Sequence, residues 1–158
     1  MEDVFFGPMK MISPDFSDGS SIPDRFTCDG ENISPTLNVE EVPETAKSLV
    51  LILDDPDAPG GTFTHWLIWN LTSDLAQIMA GNPPSGAMQG TNDFGALRYG
   101  GPCPPSGVHR YYFRLYAVDA APELTPRSKR KAVDAAIKGH IVGEATLMGR
   151  YARRGGKH

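Results

Sequence analysis

The sequence is poor in cysteine and has no long apolar run. Its 158 residues include two cysteines, too few for a disulfide-rich scaffold or for a zinc site built from cysteine alone. No stretch approaches the roughly 18–20 apolar residues of a membrane-spanning helix. The start, Met1-Glu2-Asp3-Val4, lacks the basic and apolar regions of a signal peptide. These absences predict a cytoplasmic protein without stable membrane insertion.

Basic charge is scarce in the first part of the chain. Residues 1–60 carry a net charge of −10 and residues 61–158 a net charge of +6, which gives −4 for the whole chain. A protein that binds duplex nucleic acid usually has a basic pI and a continuous basic face. Here the basic residues concentrate at 127–131 and 150–157, where a solvated helix face and a chain end account for them. We therefore expect no nucleic-acid partner.

Glycine and proline, in contrast, are abundant. Seventeen glycines and fourteen prolines favour short strands joined by loops over a helical bundle. The patterns predict strands at residues 9–12, 48–53, 63–71, 111–118 and 140–151. The run at 48–53 is apolar almost throughout, which is typical of a strand buried on both faces. Along 63–71, strict alternation places His65 on one face with Leu67 and Trp69, and Trp66 and Ile68 on the other.

One helix and two long loops complete the prediction. Thr125-Pro126 reads as an N-cap followed by proline at the first helical position, and Gly139 as the end of the helix. Residues 13–36, anchored by Ile22 and Phe26, and residues 81–107, with seven glycines and five prolines, are predicted loops. The length suits a single domain that spans residues 1–158.

Three polar clusters lie where predicted strands meet loops, at residues 54–61, 64–66 and 99–111. A carboxylate next to an imidazole orients the ring, and two imidazoles offer N–H donors to a phosphate or a carboxylate. Each residue alone also has an ordinary explanation. Asp55 and Asp57 flank Pro56 as turn formers do, His65 suits a hydrogen-bonded core position, and His109 could form a surface pair with the next residue.

Taken together, the three clusters resemble a known family. Asp55-Pro56-Asp57-Ala58-Pro59, then His65-Trp66, then the segment from Gly101-Pro102-Cys103 to His109-Arg110-Tyr111 resemble the phosphatidylethanolamine-binding protein family, also called the Raf kinase inhibitor family, in its shorter prokaryotic branch. The likeness extends from residue 26 to residue 151. It implies a mainly β fold, an antiparallel β-sandwich in which a large sheet packs on a smaller one, with one or two peripheral helices.

The resemblance also implies a pocket for small anions such as phosphate, a phospho-headgroup or a carboxylate. Carried across position by position, it gives one set of ligand-binding residues: Asp55, Asp57, Pro59, His65, Pro104, Pro105, His109 and Tyr111. We expect no catalytic residue, cofactor or metal. Two features depart from the family. Thr36 stands where a second proline is common, and the chain ends soon after Tyr151, without the C-terminal helix of eukaryotic members.

The function we predict is that of a non-enzymatic binding and regulatory protein. One alternative is an inhibitor of serine proteases or kinases that acts through the loop at 81–107. Another is a hydrolase that uses the acids and histidines for acid–base catalysis, or a divalent metal held by Asp55, Asp57 and His65. Against a hydrolase, the sequence has no nucleophile-elbow pattern, and against a metal site it has no HExxH spacing. The prokaryotic branch further suggests a homodimer.

Cys28 and Cys103 both lie in loops that match family motifs. In a cytosolic protein we expect two reduced, packed thiols. A disulfide between them is the alternative, and a redox or nucleophilic role for Cys103 is the third reading.

Overall fold

Two antiparallel sheets and one α-helix form residues 8–153, the part of the chain that the computed structural model describes. The larger sheet has the strand order β6-β4-β3-β7-β8 and the smaller one β1-β2-β5. This confirms the predicted mainly β, antiparallel architecture. The elements, in chain order, are β1 (Lys10–Ile12), a 3-10 turn (Asp24–Phe26), β2 (Leu37–Glu40), β3 (Ser48–Asp55), β4 (Phe63–Thr72), β5 (Gln77–Ile78), β6 (Met88–Gln89), β7 (His109–Val118), α1 (Arg130–Ile137) and β8 (Ile141–Tyr151).

Strand β3 is the centre of the molecule and is buried along its whole length. Its apolar side chains alternate between two cores, as expected for a strand covered on both faces. Leu51 and Leu53 belong to the core between the two sheets. Val50 and Ile52 belong to a second core, which Val133 and other residues of α1 cover. The continuous apolar run in the sequence therefore reflects two layers of cover.

A β-bulge in strand β4 changes the face on which His65 lies. Leu53 pairs with Trp66 and Asp54 pairs with Thr64, so His65 is an extra residue without a partner on β3. An extra residue breaks the alternation of side chains along a strand. His65 therefore packs against Tyr111, on the side of the core between the sheets, and not with Leu67 and Trp69 under the helix. The face predicted for His65 was wrong for this reason.

Helix α1 begins four residues later than the sequence predicts. Its first residue is Arg130, and the preceding Lys129 makes no side-chain capping bond. Thr125 instead closes a tight turn, in which its carbonyl accepts a hydrogen bond from the N–H of Ser128. The N-cap prediction at Thr125 was therefore wrong, because this residue and Pro126 serve a turn that precedes the helix. The C-terminal end of the helix is as predicted, because α1 ends at Ile137 and Gly139 follows it in the left-handed region, with a φ of +82°.

The two long loops are ordered against the sheets. In the first, Ile22 and Phe26 are buried, as predicted. Residues 18–22 of this loop form a strap along the end of β8, since Gly19 donates to the carbonyl of Met148 and Arg150 exchanges hydrogen bonds with Ser20 and Ile22. The second loop, residues 81–107, contains β6, a two-residue strand that pairs with the edge of β4.

The two cysteines form a disulfide between these loops. Cys28 and Cys103 have Cα atoms 5.4 Å apart, and their sulfur atoms are bonded. The N–H of Cys28 also donates to the carbonyl of Pro102 at 3.1 Å. The expectation of two reduced thiols was wrong because the fold places residues 75 positions apart in the sequence side by side.

Candidate functional site

A buried carboxylate–imidazole pair lies at the end of the large sheet where β3 ends and β7 begins. Nδ1 of His109 lies 2.6 Å from Oδ2 of Asp55, and both residues are buried. The other oxygen of Asp55 accepts a hydrogen bond of 2.7 Å from the main-chain N–H of Asp57. An ionised carboxylate can only accept, so Nδ1 of His109 carries the hydrogen. Asp55 thereby fixes the orientation of the ring, as predicted for a carboxylate beside an imidazole.

The preceding residue on β3, Asp54, faces the opposite side of the sheet. Its carboxylate is buried and accepts hydrogen bonds from Arg114 on β7 and from Arg130 at the start of α1, all between 2.9 and 3.2 Å. Two adjacent aspartates therefore serve two different layers, since side chains alternate along a strand. Asp54 joins the helix to the sheet, and Asp55 belongs to the candidate site.

The hydroxyl of Tyr111 is buried and completes no hydrogen bond of good geometry among residues 8–153, although the Asp55 carboxylate and the main-chain N–H of Cys103 lie near it. The ring stacks near that of His109, with centroids 6.3 Å apart, and meets the ring of His65 edge-on at 5.3 Å. Burial and the negative charge of Asp55 raise the pKa of Tyr111, so the hydroxyl keeps its proton. A buried donor without an acceptor is unfavourable, and a bound ligand or water molecule is one way to satisfy it.

His65 is held by the main chain of the loop after β6. Its Nδ1 lies 2.7 Å from the carbonyl oxygen of Gly100, which can only accept, so this nitrogen also carries its hydrogen. Burial lowers the pKa of His65, while the carbonyls of Gly100 and Gly101 and the charge of Asp55 act in the opposite direction. The ring is therefore neutral at neutral pH.

Two phenylalanines that the sequence did not single out surround His65. The centroids of Phe63 and Phe94 lie 5.0 Å and 5.2 Å from that of His65, and the two phenyl rings meet edge-on at 4.8 Å. Gly100 permits this arrangement, because a Cβ at this position would come within 2.5 Å of the Phe94 ring. Phe63 begins β4, two residues before His65, and an aromatic residue so near a strand end was the available signal. Phe94, in an irregular loop, carried none.

The carboxylate of Asp57 pairs with Arg110 and makes no hydrogen bond to His65 or His109. It accepts hydrogen bonds from the Arg110 side chain, at 2.8 Å to Oδ1 and 2.9 Å to Oδ2, and from the Arg110 main chain at 2.9 Å. These bonds, with the side-chain ones dominant, lower the pKa of Asp57 to about 2. The pair fastens the loop after β3 to the start of β7, so Asp57 supports the site through its neighbours Asp55 and His109.

The prolines of the predicted set differ in exposure. Pro104 is buried and Pro59 and Pro105 are exposed. Pro104 follows Cys103, whose main-chain N–H is close enough to the Tyr111 hydroxyl to lower the pKa of that group slightly. The disulfide therefore anchors the loop that covers this side of the site. A cavity of about 210 Å³ borders the site and shares Phe94, Gly100 and Cys103 with it.

The structure thus brings together four of the predicted residues: Asp55, His65, His109 and Tyr111. Within residues 8–153, the buried side-chain polar atoms without a partner are the Tyr111 hydroxyl and the Trp69 indole N–H. Neither Nε2 of His65 nor Nε2 of His109 is among them, and neither has a partner in that range. Both rings are buried, with His65 4% and His109 6% exposed. The same range contains no group of three or more histidine, cysteine or acidic side chains placed to hold a metal ion.

Comparison with known proteins places the chain in a family. A family profile described as "Phosphatidylethanolamine-binding protein" matches residues 12–152. The chain belongs to the phosphatidylethanolamine-binding protein family. A relative from this family's prokaryotic members, the UPF0098 protein of Methanothermobacter thermautotrophicus, is 51% identical over 150 residues, which are 92% of this chain and 99% of the relative.

Solved structures of phosphatidylethanolamine-binding protein relatives share the fold. A putative homolog from Chlamydia trachomatis superposes with a TM-score of 0.88 at 39% identity and covers 92% of this chain and 98% of its own. YbcL of Escherichia coli, described as a new member of the mammalian family, gives a TM-score of 0.87 at 28% identity, with 92% and 99% covered. The family and the sandwich fold predicted from the motifs are both confirmed. No helix within residues 8–153 is long and apolar enough to cross a bilayer.

Proposed function

We propose that this protein is a non-enzymatic binding protein whose ligand is a small oxyanion held by Tyr111, His65 and His109. The observation that carries the proposal is the buried Tyr111 hydroxyl without a partner. Its O–H can donate to an anionic oxygen, and that contact removes the cost of leaving a buried donor unpaired. Phosphate, a phospho-headgroup and a carboxylate all supply such an oxygen.

The charges around the site suit an anion. Both oxygens of Asp55 already accept hydrogen bonds, from His109 and from the main chain of Asp57. When both nitrogens of His109 carry a hydrogen, the ring balances the charge of Asp55 and its Nε2–H becomes a donor. The aromatic rings of Phe63 and Phe94 give the site an apolar side, as is common for sites of small ligands.

The Tyr111→Phe variant separates binding from folding. Because the hydroxyl makes no hydrogen bond in the described structure, its loss should leave the free energy of unfolding unchanged or slightly higher. The affinity for phosphate should fall about tenfold, the effect of one lost hydrogen bond of about 1.4 kcal/mol. Urea denaturation measures the first quantity and calorimetric titration with phosphate the second.

The binding itself can be followed by NMR through the imidazole signals of His65 and His109 while phosphate, phosphoethanolamine or acetate is added. We expect both rings to respond at or below millimolar concentrations. The exposed His140, which pairs with Asp119 at 2.8 Å, is an internal control and should not respond in the same way. If neither site ring responds to any of the three anions, the proposal is wrong.

Hydrolysis is a second candidate, because the Asp55–His109 pair has the arrangement of a carboxylate that orients a general base. A water molecule activated at Nε2 of His109 would then attack a phosphoryl or acyl group. The assay is release of p-nitrophenol from its phosphate and acetate esters. Activity that persists in His109→Ala would identify a contaminant, and activity that is lost there with the fold intact would favour the hydrolase. Inhibition of a protease or kinase through residues 81–107, homodimer formation and a cytoplasmic location stay predictions.

A further inference from the structure

A second polar cavity lies on the side of the large sheet that Asp54 faces, opposite to Asp55 and His109. Residues of β3, β4, β7 and helix α1 line it, and its volume is about 560 Å³, within the usual range for small-ligand sites. We call it the back cavity. Its charged lining residues are three acids and three bases: Asp54, Asp93, Asp134, Arg114, Arg130 and Lys131.

The buried Asp54 holds two guanidinium groups of the back cavity in place. Asp54 is 1% exposed, and its carboxylate accepts hydrogen bonds from Arg114 on β7 and Arg130 on α1. The Arg114 guanidinium also lies over the ring of Tyr112, 4.5 Å from the ring centroid. Because these contacts already order both side chains, a ligand that binds them does not lose further side-chain entropy on that account.

Both guanidinium groups keep donors that the protein does not use. Arg114 donates to Asp54 through Nε and Nη2, and its Nη1 makes no hydrogen bond within residues 8–153. Arg130 donates through Nε to Asp134 and through Nη1 to Asp54, and its Nη2 makes none in the same range. A guanidinium can bind a second carboxylate through such remaining N–H groups. Together with the Lys131 ammonium, they form the cationic part of the back cavity.

An acceptor lies on another strand of the same cavity. Asp93 is exposed, and its Oδ2 accepts a hydrogen bond of 2.7 Å from the N–H of Thr64 on β4. Its Oδ1 makes no hydrogen bond within the described part of the chain. Arg114 belongs to β7, and β3 lies between β4 and β7. Because neighbouring strands are about 4.8 Å apart, β4 and β7 are separated by about 10 Å. The back cavity therefore has an anionic group near β4 and a cationic group from β7.

The balance of charge indicates the class of ligand. The three acids and three bases of the lining cancel in formal charge. A simple anion would meet the carboxylates of Asp93 and Asp134, and a simple cation would meet Arg114 and Lys131. Such like-charge contacts disfavour both. A molecule that carries a carboxylate and an ammonium group can pair with both kinds of lining residue.

We propose that the back cavity is a second binding site, independent of the proposed oxyanion site, and that its ligand is a small zwitterion. The carboxylate of the ligand pairs with Nη1 of Arg114 and with the Lys131 ammonium. The ammonium group of the ligand pairs with Oδ1 of Asp93. A short ω-amino acid such as 4-aminobutyrate has these two groups at opposite ends of its chain.

Three probes of similar length test the ligand class: 4-aminobutyrate, butyrate, which lacks the ammonium group, and butylamine, which lacks the carboxylate. Each is titrated at about pH 7 and fixed ionic strength, and NMR follows the backbone amide signals of Arg114, Arg130 and Lys131. 4-Aminobutyrate should shift these signals until they saturate. Its affinity should be at least about fivefold higher than that of either other probe, because each of those lacks one charge-assisted contact.

The outcomes decide this proposal without reference to the first site. If 4-aminobutyrate leaves the three amide signals unchanged, the back cavity is not a site for it and the proposal is overturned. Butyrate of equal affinity would show a site for simple anions, and butylamine of equal affinity a site for simple cations. Either result would overturn the zwitterion. Oxyanion binding is measured separately, through the imidazole signals of His65 and His109.

Two variants assign the two ends of the ligand. Asp93→Asn keeps an oxygen for the N–H of Thr64 but loses the charge, so 4-aminobutyrate should bind no more tightly than butyrate. Asp74→Asn, the same change at an exposed aspartate, should keep the wild-type preference. Arg114→Gln should bind 4-aminobutyrate no more tightly than butylamine. A folded Asp93→Asn protein that keeps the wild-type preference would overturn the proposal. Should Arg114→Gln fail to fold, Asp93→Asn and the three probes on the unmodified protein still decide.

Discussion

At the scale of single residues, Asp57 and Arg110 show how an acid next to a site can serve the site indirectly. The Arg110 guanidinium and main-chain N–H occupy both oxygens of Asp57. Asp57 lies two residues after Asp55, and Arg110 directly follows His109. The Asp57–Arg110 pair therefore joins the two strand ends that carry Asp55 and His109. The proposed ligand contacts therefore involve Tyr111 and the two histidines, and Asp57 is not among them.

The Asp57–Arg110 pair should give the protein a distinctive response to acid. The pKa of Asp57 is lowered from 3.8 to about 2, so its ionised form is favoured in the folded state. The pair therefore stabilises the fold at pH values above about 4, and this contribution is lost as the pH falls towards 2. We expect the difference in unfolding free energy between wild type and Asp57→Asn to stay constant from pH 7 to about 5 and to shrink below about 4.

Urea denaturation at a series of pH values measures this difference. Asp74→Asn, a change of an exposed aspartate in the turn before β5, is the matched control and should show no such trend. A difference between wild type and Asp57→Asn that does not change between pH 5 and pH 3 would contradict the prediction.

Residue types and their order predicted part of the site, but not how each side chain is used. Asp55, His109 and Tyr111 could be predicted because each lies at the end of a clearly patterned strand. The role of Asp57 could not, since the sequence does not show that the Arg110 side chain folds back onto it. Phe94 could not be predicted either, because it reaches His65 from a loop without periodicity.

At the scale of elements, strand β3 ends in two carboxylates that serve different layers. Asp54 accepts from Arg114 and Arg130 and holds α1, and Asp55 orients His109. Asp54→Asn should lower the free energy of unfolding by about 2 kcal/mol, since it weakens buried charge-assisted bonds, and should leave phosphate affinity within twofold. Asp55→Asn should lower phosphate affinity tenfold or more, because His109 loses its orienting carboxylate.

The two variants are controls for each other, since they make the same chemical change one residue apart. Urea denaturation and phosphate titration of both proteins give the comparison. Equal losses of affinity in the two variants would show that the layers are not separate and would contradict the prediction.

The strands themselves were predicted well, whereas the bulge in β4 was not. An apolar run or an alternating pattern reports burial, and burial placed β3, β4, β7 and β8 close to their observed bounds. The extra residue at His65 leaves no mark in that pattern, because the neighbouring residues are apolar on both faces. Only the pairing with β3 reveals it. The start of α1 was misplaced for a similar reason, since a Thr-Pro sequence suits a turn as well as a helix start.

At the scale of the whole molecule, the disulfide closes a long loop of chain. Cys28 and Cys103 are 75 residues apart, and for a loop of this length the entropic stabilisation is about 4 kcal/mol. Complete reduction should therefore lower the free energy of unfolding by about this amount. Guanidinium denaturation with and without a dithiol measures it, and Cys28→Ser with Cys103→Ser in one chain should give a protein that the dithiol does not affect.

A reduced protein that keeps its full stability would contradict this prediction. The disulfide could not be predicted from the sequence, because the positions of two cysteines 75 residues apart do not give the distance between them in the folded protein. The folding of the first loop onto the sheet, through Phe26 and the hydrogen bond from Cys28 to Pro102, creates that proximity. The cytosolic location expected from the sequence had favoured reduced thiols.

The strap formed by residues 18–22 has a consequence for the order of folding. It covers part of the free edge of β8 with hydrogen bonds between residues about 130 positions apart, such as that from Met148 to Asp18. During translation, residues 18–22 are synthesised long before β8, which is the last strand of the large sheet to be made. Until the two meet, the nascent sheet presents an unprotected edge of the kind that nucleates aggregation. Residues 18–22, which the sequence predicts as part of an irregular loop, thus cover part of the edge of β8 once that strand has joined the sheet.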